Sequence, residues 1–332
     1  MSMQPKRWTP PKATARAHEN HSAPPMPPVR RLEVPGDGPE DVVIIPDGRV
    51  VAGLADGTLV AVDPADGTVE RIGHTGGRPL GLHANPDGSL LICDADRGLL
   101  RLDKPGGQVE VLVSEVDGVP LNFTSNVVAD GDTVYFSEST RRWPLGEYMG
   151  DMLEHSETGR LLRRNPDGSV ETLVDGLKFA NGIVLAPDRS CLLVAETGGY
   201  SITRYWLTGP KAGTHDYFAE NLPAFPDNMG LGSDGLAWVA LVSPRNPLLD
   251  MLLPLPGVLR RLVWAIPEAL QPKPARTVWV QAFDFDGNLV HDLQREGTDY
   301  AMVTGVAERD GTIYLGSLSE PAIAVTQVPQ VS

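Results

Sequence analysis

Cysteine is scarce in this chain, which has two among its 332 residues. A small secreted fold held together by disulfides needs several pairs at regular spacing, so that class of protein is excluded. Cys93 and Cys191 each lie within an apolar run, "LLICDA" and "SCLLVAE", where a small hydrophobic residue suits the interior of a strand. The pattern favours two buried free thiols over a disulfide.

Positive charge is also in short supply. The chain carries 28 basic residues against 43 acidic ones, which gives a formal net charge of -15. A surface with this balance opposes binding to phosphate backbones or to anionic membranes, and we therefore expect no nucleic acid partner. The balance favours cations or neutral small molecules as ligands.

No apolar run is long enough to form a good transmembrane segment. The most apolar stretch, residues 248–270, is interrupted by Pro254, Pro256 and Pro267 and contains two arginines. The first 28 residues are rich in proline and basic residues and lack the apolar core of a secretory signal. We expect a flexible proline-rich tail, or an extended arm, over residues 1–28. The default location is cytoplasmic, with export or membrane association as alternatives.

What the sequence does contain is a repeated phrase: an apolar run, a turn with Asp-Gly or Pro-Asp, and a second apolar run. Six copies follow one another: "PEDVVIIPDGRVVAGL", "PLGLHANPDGSLLICD", "SNVVADGDTVYFSES", "ANGIVLAPDRSCLLVAE", "PDNMGLGSDGLAWVAL" and "VTGVAERDGTIYLGSL". Most copies precede a further hairpin, which gives four strands per unit and is typical of a β-propeller blade. The predicted fold class is all-β, a six-bladed β-propeller with four-stranded antiparallel blades, forming a single domain over residues 29–332. Segment 28–36 should add a strand to the last blade and close the ring.

The repeat places one residue of each unit at the start of its innermost strand, where it should face a central channel. Alignment on the aspartate of the first turn gives these equivalent positions: Glu40, Leu80, Asn126, Asn181, Asp227 and Thr304. Asn181 alone would be interpreted as a turn residue, because Asn-Gly is a common turn dipeptide. Facing buried carboxylates repel one another unless a cation lies between them, so the set favours a central metal-binding channel. Calcium suits its ligands best, since they offer only hard oxygens: Glu40, Asn126, Asn181 and Asp227.

Two insertions interrupt the repeats, residues 139–154 and residues 244–276. We expect them to act as lid segments that rim one face of the propeller and form an apolar entrance, with Trp143 as a substrate contact. From Pro256 onward, apolar residues recur on one helical face and predict a helix over residues 256–270. That helix could cover the body of the fold, close over a substrate or contact a membrane surface.

Longer stretches of the sequence resemble a known family. The phrases "LNFTSNVVADGDTVYFSEST", "EHSETGRLLRRNPDGSVETLVDGLKFANGIVLAPDRSCLLVAETGGYSITRYWLTGPKAGT" and "FPDNMGLGSDGLAWVAL" are similar to those of strictosidine-synthase-like proteins. That family belongs to a superfamily of six-bladed propellers with gluconolactonases (senescence marker protein), paraoxonases and diisopropylfluorophosphatase. The resemblance implies a divalent cation, usually calcium, at the top of the channel. Its ligands would be Glu40, Asn126, Asn181 and Asp227, with Asn228 as a further ligand, a partner of the ligands or a substrate contact.

The sequence departs from the plant strictosidine synthases in two respects. As the resemblance is usually understood, the plant enzymes catalyse a condensation with a glutamate of the last blade. They have glycines at the positions where hydrolytic relatives have metal ligands. Here Thr304 occupies the region of that glutamate, while Asn181 and Asp227 are retained. The resemblance therefore implies hydrolysis rather than strictosidine synthesis, and makes Thr304 a candidate substrate contact.

Together with the resemblance, the site predicts a metal-dependent hydrolase of lactones or related esters that acts on an apolar small molecule. Asp227 is expected to deprotonate or orient water, and His155 is a second catalytic candidate, with an ordinary loop histidine as the alternative. Two other interpretations stay open: a condensing enzyme or lyase like the plant relatives, and a non-catalytic binding scaffold with a structural calcium. A site reachable from solvent would favour chemistry, and a sealed one would favour structure.

Overall fold

The computed structural model describes residues 2–267 and 274–329, and most of it is built from six four-stranded antiparallel sheets. The first strand, β1 (Arg30–Glu33), belongs to the last sheet. The elements of blades 1 to 3 follow in chain order: β2 (Val42–Ile44), β3 (Val50–Gly53), β4 (Thr58–Val62), β5 (Val69–His74), β6 (Pro79–Ala84), β7 (Leu90–Asp94), β8 (Gly98–Leu102), β9 (Val109–Val113), the ribbon β10 (Glu115–Val116) and β11 (Val119–Pro120), then β12 (Thr124–Asp130), β13 (Thr133–Glu138), helix α1 (Tyr148–Glu154), β14 (Gly159–Arg164) and β15 (Val170–Leu177).

Blades 4 to 6 complete the fold, with two further helices inside blade 5. Their elements are β16 (Ala180–Leu185), β17 (Cys191–Glu196), β18 (Ser201–Trp206), β19 (His215–Ala219), β20 (Ala224–Leu231), β21 (Ala237–Pro244), α2 (Pro247–Leu252), α3 (Gly257–Trp264), β22 (Thr277–Phe283), β23 (Leu289–Glu296), β24 (Val303–Arg309), β25 (Thr312–Ser317) and β26 (Ala322–Gln327). Short 3₁₀ turns occur at Ala15–His18, Leu145–Glu147 and Thr197–Gly199. The predicted six-bladed, all-β propeller is confirmed.

The first strand of every blade lies around the central axis. Strands β2, β6, β12, β16, β20 and β24 each contact the first strands of both neighbouring blades, so the six form a closed ring. The ring closes because the two ends of the chain share one sheet. Strand β1 pairs antiparallel with β26, with Arg30 opposite Val325 and Leu32 opposite Ile323. The predicted closing strand is therefore present.

Apolar side chains between neighbouring blades form the core. All the residues of β3, β7 and β17 are buried, because these strands have blades packed on both faces. Cys93 lies in β7 and Cys191 in β17, and both are buried free thiols, as predicted. The core therefore consists of packed layers between blades rather than one central cluster.

The two predicted insertions carry the three helices. Helix α1 lies in the first insertion, and α2 and α3 lie in the second. The helix predicted over residues 256–270 is observed as Gly257–Trp264, and its last positions lie outside the described residues. We call α1, α2 and α3 together the lid. In the described residues, no helix combines the length and the apolar character needed to span a bilayer.

Residues 2–28 form an extended arm, which is the second of the two alternatives for this segment and not the flexible tail. The backbone N–H groups of Lys6 and Trp8 donate to the carbonyls of Glu154 and Leu253 in the lid. Further along, the arm runs beside β23, where Arg16 pairs with Asp292 at 2.7 Å. Met3 and Met26 are buried, with 5% and 3% of their surface exposed. Proline-rich composition alone predicted mobility, but these contacts hold the arm against the blades.

Candidate functional site

Most of the polar residues predicted for the channel lie at the inner ends of the first strands. Glu40 lies two residues before β2, and Asn126, Asn181, Asp227 and Thr304 lie in β12, β16, β20 and β24. All of these side chains are buried, with at most 7% of their surface exposed. The propeller therefore brings residues that are up to 264 positions apart in sequence to one axis.

Carboxamides and carboxylates hydrogen-bond across this axis. Asn181 Nδ2 donates to Asp227 Oδ1 at 2.5 Å, and Asn228 Nδ2 donates to Glu40 Oε2 at 3.0 Å. Asn126 Nδ2 donates to Asn228 Oδ1 at 2.9 Å, which links blade 3 to blade 5. The four predicted ligands and Asn228 thus belong to one network, which we call the axial network.

The axial network contains a third carboxylate, Asp41, which the sequence analysis missed. Its Oδ2 accepts from Leu82 N at 2.9 Å and from Asn126 Nδ2 at 3.3 Å, while its Oδ1 accepts from Val42 N at 2.9 Å. The repeat alignment took one residue from each unit, so it stopped at Glu40. The pair Asp227–Asn228, at the same place in blade 5, was the signal that two consecutive positions matter.

The structure also corrects the register of Asn126 by one residue. Asn126 Oδ1 accepts from Ile183 N at 3.1 Å, just as Asp41 accepts from Leu82 N, so Asn126 corresponds to Asp41. Ser125 is therefore the true equivalent of Glu40. The error arose at the turns: Asp132 is the second residue of the turn between β12 and β13, whereas Asp310 is the first residue of the turn between β24 and β25.

With this correction, the residue that follows the Glu40-equivalent position alternates in type from one blade to the next. Blades 1, 3 and 5 carry an acidic or amide residue, and blades 2, 4 and 6 carry glycine, in the order Asp41, Gly81, Asn126, Gly182, Asn228 and Gly305. A Cβ on Gly81 would lie 2.4 Å from Asn126 Cα, and one on Gly182 would lie 2.3 Å from Met229 N. Glycine is required because the inner strands approach too closely for a side chain. The Asn181-Gly182 dipeptide is therefore part of a strand and not a turn.

The charges of the axial network are only partly balanced by the chain itself. Burial raises the pKa of Glu40 to about 7, against the opposing effects of the Arg78 charge and the Asn228 hydrogen bond. Burial, and next the Glu40 charge, raise the pKa of Asp41 and of Asp227 well above the usual range. Three buried carboxylates therefore lie beside one arginine whose charge offsets only part of theirs.

The donor chemistry of the axial network fits calcium. It offers carboxylate and carboxamide oxygens with no sulfur or imidazole, which is the set that calcium accepts. In residues 2–267 and 274–329, no three His, Cys, Asp or Glu side chains are grouped as metal ligands, so the amides are essential to any such site. Asn181 and Asn228 direct their nitrogens at the carboxylates. Holding a cation requires these two amides to turn their oxygens toward it.

Aromatic side chains form a collar beside the axial network. Phe123, Phe179 and Phe225 each lie two residues before the corrected ring position in their blade and are buried. Phe123 and Phe179 meet edge to face at 5.4 Å between ring centroids, and Phe225 lies 5.0 Å from Tyr200. The repeated phrases "FTSN", "FAN" and "FPDN" thus encode an apolar rim together with polar groups.

Comparisons with known proteins agree with this architecture. A family profile described as strictosidine synthase matches residues 125–210, and one described as strictosidine synthase-like, N-terminal, matches residues 29–62. The protein strictosidine synthase-like 10 of Arabidopsis thaliana is 36% identical over 271 residues, covering 76% of this chain and 70% of the plant protein. The chain belongs to the strictosidine synthase-like family. The adipocyte plasma membrane-associated protein of Gallus gallus is 33% identical over 309 residues, covering 86% of this chain and 74% of that protein.

Solved structures similar to this family member share its fold. A gluconolactonase from Xanthomonas campestris superposes with a TM-score of 0.65 at 18% identity, covering 99% of this chain and 98% of that one. The calcium-binding protein regucalcin from Agrobacterium tumefaciens gives a TM-score of 0.62 at 14% identity, covering 91% of this chain and 94% of that one. At these identities the likeness extends to the propeller fold alone.

His155 lies in the lid of this strictosidine synthase-like protein and not in the axial network. It ends α1 with a left-handed backbone (φ 55°), and its ring stacks on Trp8 of the arm at 4.3 Å between centroids. Burial, together with the charges of Lys178, Arg260 and Lys6, lowers its pKa to about 3. A neutral buried imidazole packed on the arm fits the alternative of a structural histidine, so the catalytic prediction is not supported.

Thr304 and Trp143, the predicted substrate contacts, also make contacts within the protein itself. Thr304 Oγ1 donates to the Glu40 carbonyl at 2.7 Å and so ties blade 6 to blade 1. Trp143 is 1% exposed and packs edge to face on Trp264, 5.3 Å away. Its Nε1 has no hydrogen-bond partner within the described part of the chain. Direct substrate contact by Trp143 would require movement of the lid.

The arm and the lid adjoin the collar. Met3 of the arm, Leu153 of α1 and Leu253 after α2 belong to the same apolar cluster as Phe123 and Phe179. One surface cavity of about 310 Å³ lies between the arm and α2, and another of about 400 Å³ lies between the outer parts of blades 3 and 4. Neither is lined by a residue of the axial network. In this conformation the axial network is nearly closed to solvent.

Proposed function

We propose that this protein is a hydrolase of lactones or related esters that depends on a divalent cation, with calcium as the best candidate. The observation that carries the proposal is the set of three buried carboxylates and three carboxamides on one axis, beside an aromatic collar. Such a set lacks enough positive charge of its own and lies beside apolar surface that suits a hydrophobic substrate.

Each residue of the axial network has its own role in the proposed reaction. Glu40, Asn181, Asp227 and Asn228 would hold the cation, and Asp41 would keep Asn126 in place through the bond between Asn126 Nδ2 and its carboxylate. A bound cation would polarise the substrate carbonyl. Asp227 is the residue we expect to orient or deprotonate water, since it is a carboxylate of the axial network whose Oδ1 is held in place by Asn181 Nδ2 at 2.5 Å. The collar would position the apolar part of the substrate.

The ring position of blade 6 supports hydrolysis more than condensation. The solved gluconolactonase and the calcium-binding protein regucalcin share the propeller fold, and the proposal is compatible with that fold. A condensing enzyme with a blade 6 carboxylate at the ring position is disfavoured, because that position is Thr304. The nearby Glu308 accepts hydrogen bonds from Ser233 N and Gly311 N and serves the turn between β24 and β25.

The test is a panel of lactones and aryl esters, assayed with calcium and with EDTA. We expect hydrolysis that EDTA abolishes and calcium restores. Asp227→Asn should lower kcat by about 10² or more, the effect typical of removing one group that acts on the transition state. Asp188→Asn, which changes an exposed turn aspartate of the neighbouring blade, is the matched control and should retain activity. Turnover that is insensitive to both EDTA and Asp227→Asn would contradict the proposal.

A second candidate function is a binding scaffold with a structural cation. The specific observation in its favour is the closure of the site, since Glu40 and Asp227 are 5% and 7% exposed beneath the arm and the lid. Calorimetry separates the two functions. Tight calcium binding without turnover of any panel member would favour the scaffold, and binding with turnover would favour the hydrolase.

A further inference from the structure

Helix α3 buries one of its two arginines and exposes several apolar residues. Arg260 is fully buried, and its Nη1 donates to the carbonyls of Leu153 at 3.0 Å and Glu154 at 3.4 Å, at the end of α1. On the same helix, Val258 and Leu262 are 55% and 62% exposed. A surface helix of a water-soluble protein normally shows the reverse arrangement.

The exposed apolar residues extend over both helices of the second insertion. We call them the outer face of the lid, and they are Leu248, Met251, Val258, Leu259 and Leu262, each at least 37% exposed. Exposed apolar residues that are scattered singly need no explanation, but a group on two consecutive short helices marks an interaction surface. The pattern therefore calls for a partner.

Basic side chains border the outer face. Arg7 Nε donates to the carbonyl of Pro254, between α2 and α3, and Arg261 Nε donates to the carbonyl of Met3. Both arginines are exposed, and among the described residues neither has a carboxylate at ion-pair distance. Lys12 of the arm and Met251 of the outer face line the same surface cavity of about 310 Å³. Apolar and basic groups are thus adjacent.

The acidic side chains within α1, α2 and α3 are paired or buried, whereas Glu147, just before α1, is exposed. Asp250 of α2 pairs with Arg245 at 2.9 Å, and Glu154 of α1 is 1% exposed and pairs with Arg142.

The arm contributes four basic residues and one acidic residue, although the whole chain has a net charge of -15. Lys6 and Arg16 pair with Glu157 and Asp292. Arg7 and Lys12 are therefore the basic residues that the arm adds to this face. This face is locally positive on a negative molecule, so charge selects both its partner and its orientation.

We propose that the outer face of the lid docks on the surface of a lipid bilayer that contains anionic lipids. Helices α2 and α3 are too short to cross a bilayer, which takes about 20 apolar residues, but they can lie in the interface. Leu262 and Val258 enter the acyl boundary while Arg7 and Arg261 contact lipid phosphates. A second copy of this chain is a poorer partner, because two-fold pairing of the same face brings the same arginines together.

Vesicle sedimentation of the full chain tests the docking. We expect binding to vesicles of phosphatidylcholine with 30% phosphatidylserine, about tenfold weaker binding to phosphatidylcholine alone, and loss at high salt. Val258→Asp/Leu262→Asp should lower partitioning by at least about tenfold, because charged residues replace those that enter the membrane. Leu289→Asp/Val290→Asp is the matched control, since these residues are 47% and 48% exposed on blade 5. It should bind like the parent protein.

A second variant keeps the apolar face and removes the charge. Arg7→Gln/Arg261→Gln should abolish the preference for anionic vesicles while residual binding stays. Absence of vesicle binding by the parent protein, or equal losses in the blade 5 control, would overturn the proposal. A dimer in light scattering that Val258→Asp/Leu262→Asp dissociates, with no vesicle binding, would assign the face to a second copy of the chain instead.

Discussion

At the scale of single residues, the unusual feature is the accumulation of negative charge at the axis. Glu40, Asp41 and Asp227 are buried together, and the Arg78 charge opposes only part of the rise in the pKa of Glu40. The chain could have placed apolar side chains here, as it does at Leu80 in blade 2. Burying three acids at one axis costs free energy unless positive charge compensates them, and this cost is the reason for proposing a cation there.

We predict that the cation-free protein loses stability as the pH rises above 6.5, through the pKa of about 7 that Glu40 has in the folded state. An acid whose pKa is raised in the folded state binds more protons folded than unfolded, so the free energy of unfolding falls with pH. The slope is about 1.4 kcal/mol per pH unit for each carboxyl still protonated in the folded state. His83 and His155, whose pKa values are lowered by burial to about 4 and about 3, act in the opposite sense only below this window.

Urea unfolding in EDTA at several pH values measures this slope. Asp41→Asn removes one of the three acids and should make the decline shallower, whereas Asp188→Asn at an exposed turn should leave it unchanged. Added calcium should flatten the profile of the parent protein, because the cation competes with protons for the same oxygens. A profile that is flat or rises with pH in EDTA would show that these carboxylates do not carry raised pKa values.

A second residue-scale prediction concerns the glycines of the even-numbered blades. Gly182→Ala places a Cβ 2.3 Å from Met229 N, so β16 and β20 must move apart. Overpacking of this kind costs about 1–3 kcal/mol. Gly146→Ala is the control, since its added Cβ meets no atom within 4 Å. Chemical denaturation should show a lower midpoint for Gly182→Ala alone, and equal midpoints would contradict the close approach.

At the scale of elements, the arm and the lid decide access to the axis. Trp8 stacks on His155 and lies 6.1 Å from Tyr200, while Met3 is buried in the cluster that includes the collar. Both arm side chains therefore hold the lid against the propeller. If the protein is a hydrolase, substrate entry requires these contacts to open.

We predict that loosening the arm speeds access to the site. Met3→Ala/Trp8→Ala should raise the rate at which EDTA removes bound calcium, because the arm no longer anchors the lid. Stopped-flow with a fluorescent chelator measures that rate. Gln4→Ala is the control, since the Gln4 side chain is exposed and its backbone bond to Glu154 remains. Identical release rates in all three proteins would show that the arm does not gate the site.

At the scale of the whole molecule, the ring depends on strand β1. Leu32 is 3% exposed in the cluster that contains Ile323 and Val325, so the closing contact is apolar as well as hydrogen-bonded. We predict that Leu32→Ala lowers the free energy of unfolding by about 2–4 kcal/mol. Arg30→Ala, at an exposed position of the same strand, should have a small effect. Similar losses in both variants, measured by urea unfolding, would contradict a closure held by apolar packing.

The whole molecule also has a charge asymmetry. The net charge of -15 belongs to the full chain, whereas the arm and the outer face of the lid present arginines and lysines. The net charge of the whole chain argued against nucleic acid and anionic membranes as partners, but it carried no information about any single face. Only the position of the arm, against α2 and α3, places basic groups beside exposed apolar residues.

The sequence by itself determined the architecture, because the six repeated phrases carry their own turns and strand patterns. It also selected most of the axial network, since residues at one repeat position must meet at one axis. The alignment placed Asn126 one residue out of register because Asp132 is the second residue of its turn. That position is known only once the ends of β12 and β13 are seen in the structure. Asp41 was not selected, because the alignment considered one position per repeat and Asp41 is the next residue after Glu40.

Only the tertiary structure decided which candidates share a site. His155 and Trp143 lie in an insertion that no repeat constrains, and packing against Trp8 and Trp264 placed them in the lid. The arm has no periodic pattern, so its path depends on contacts with elements more than 100 residues away. The repeated sequence pattern predicts strands and turns, because these depend on neighbouring residues. Contacts between distant segments depend on packing and charge in the folded chain.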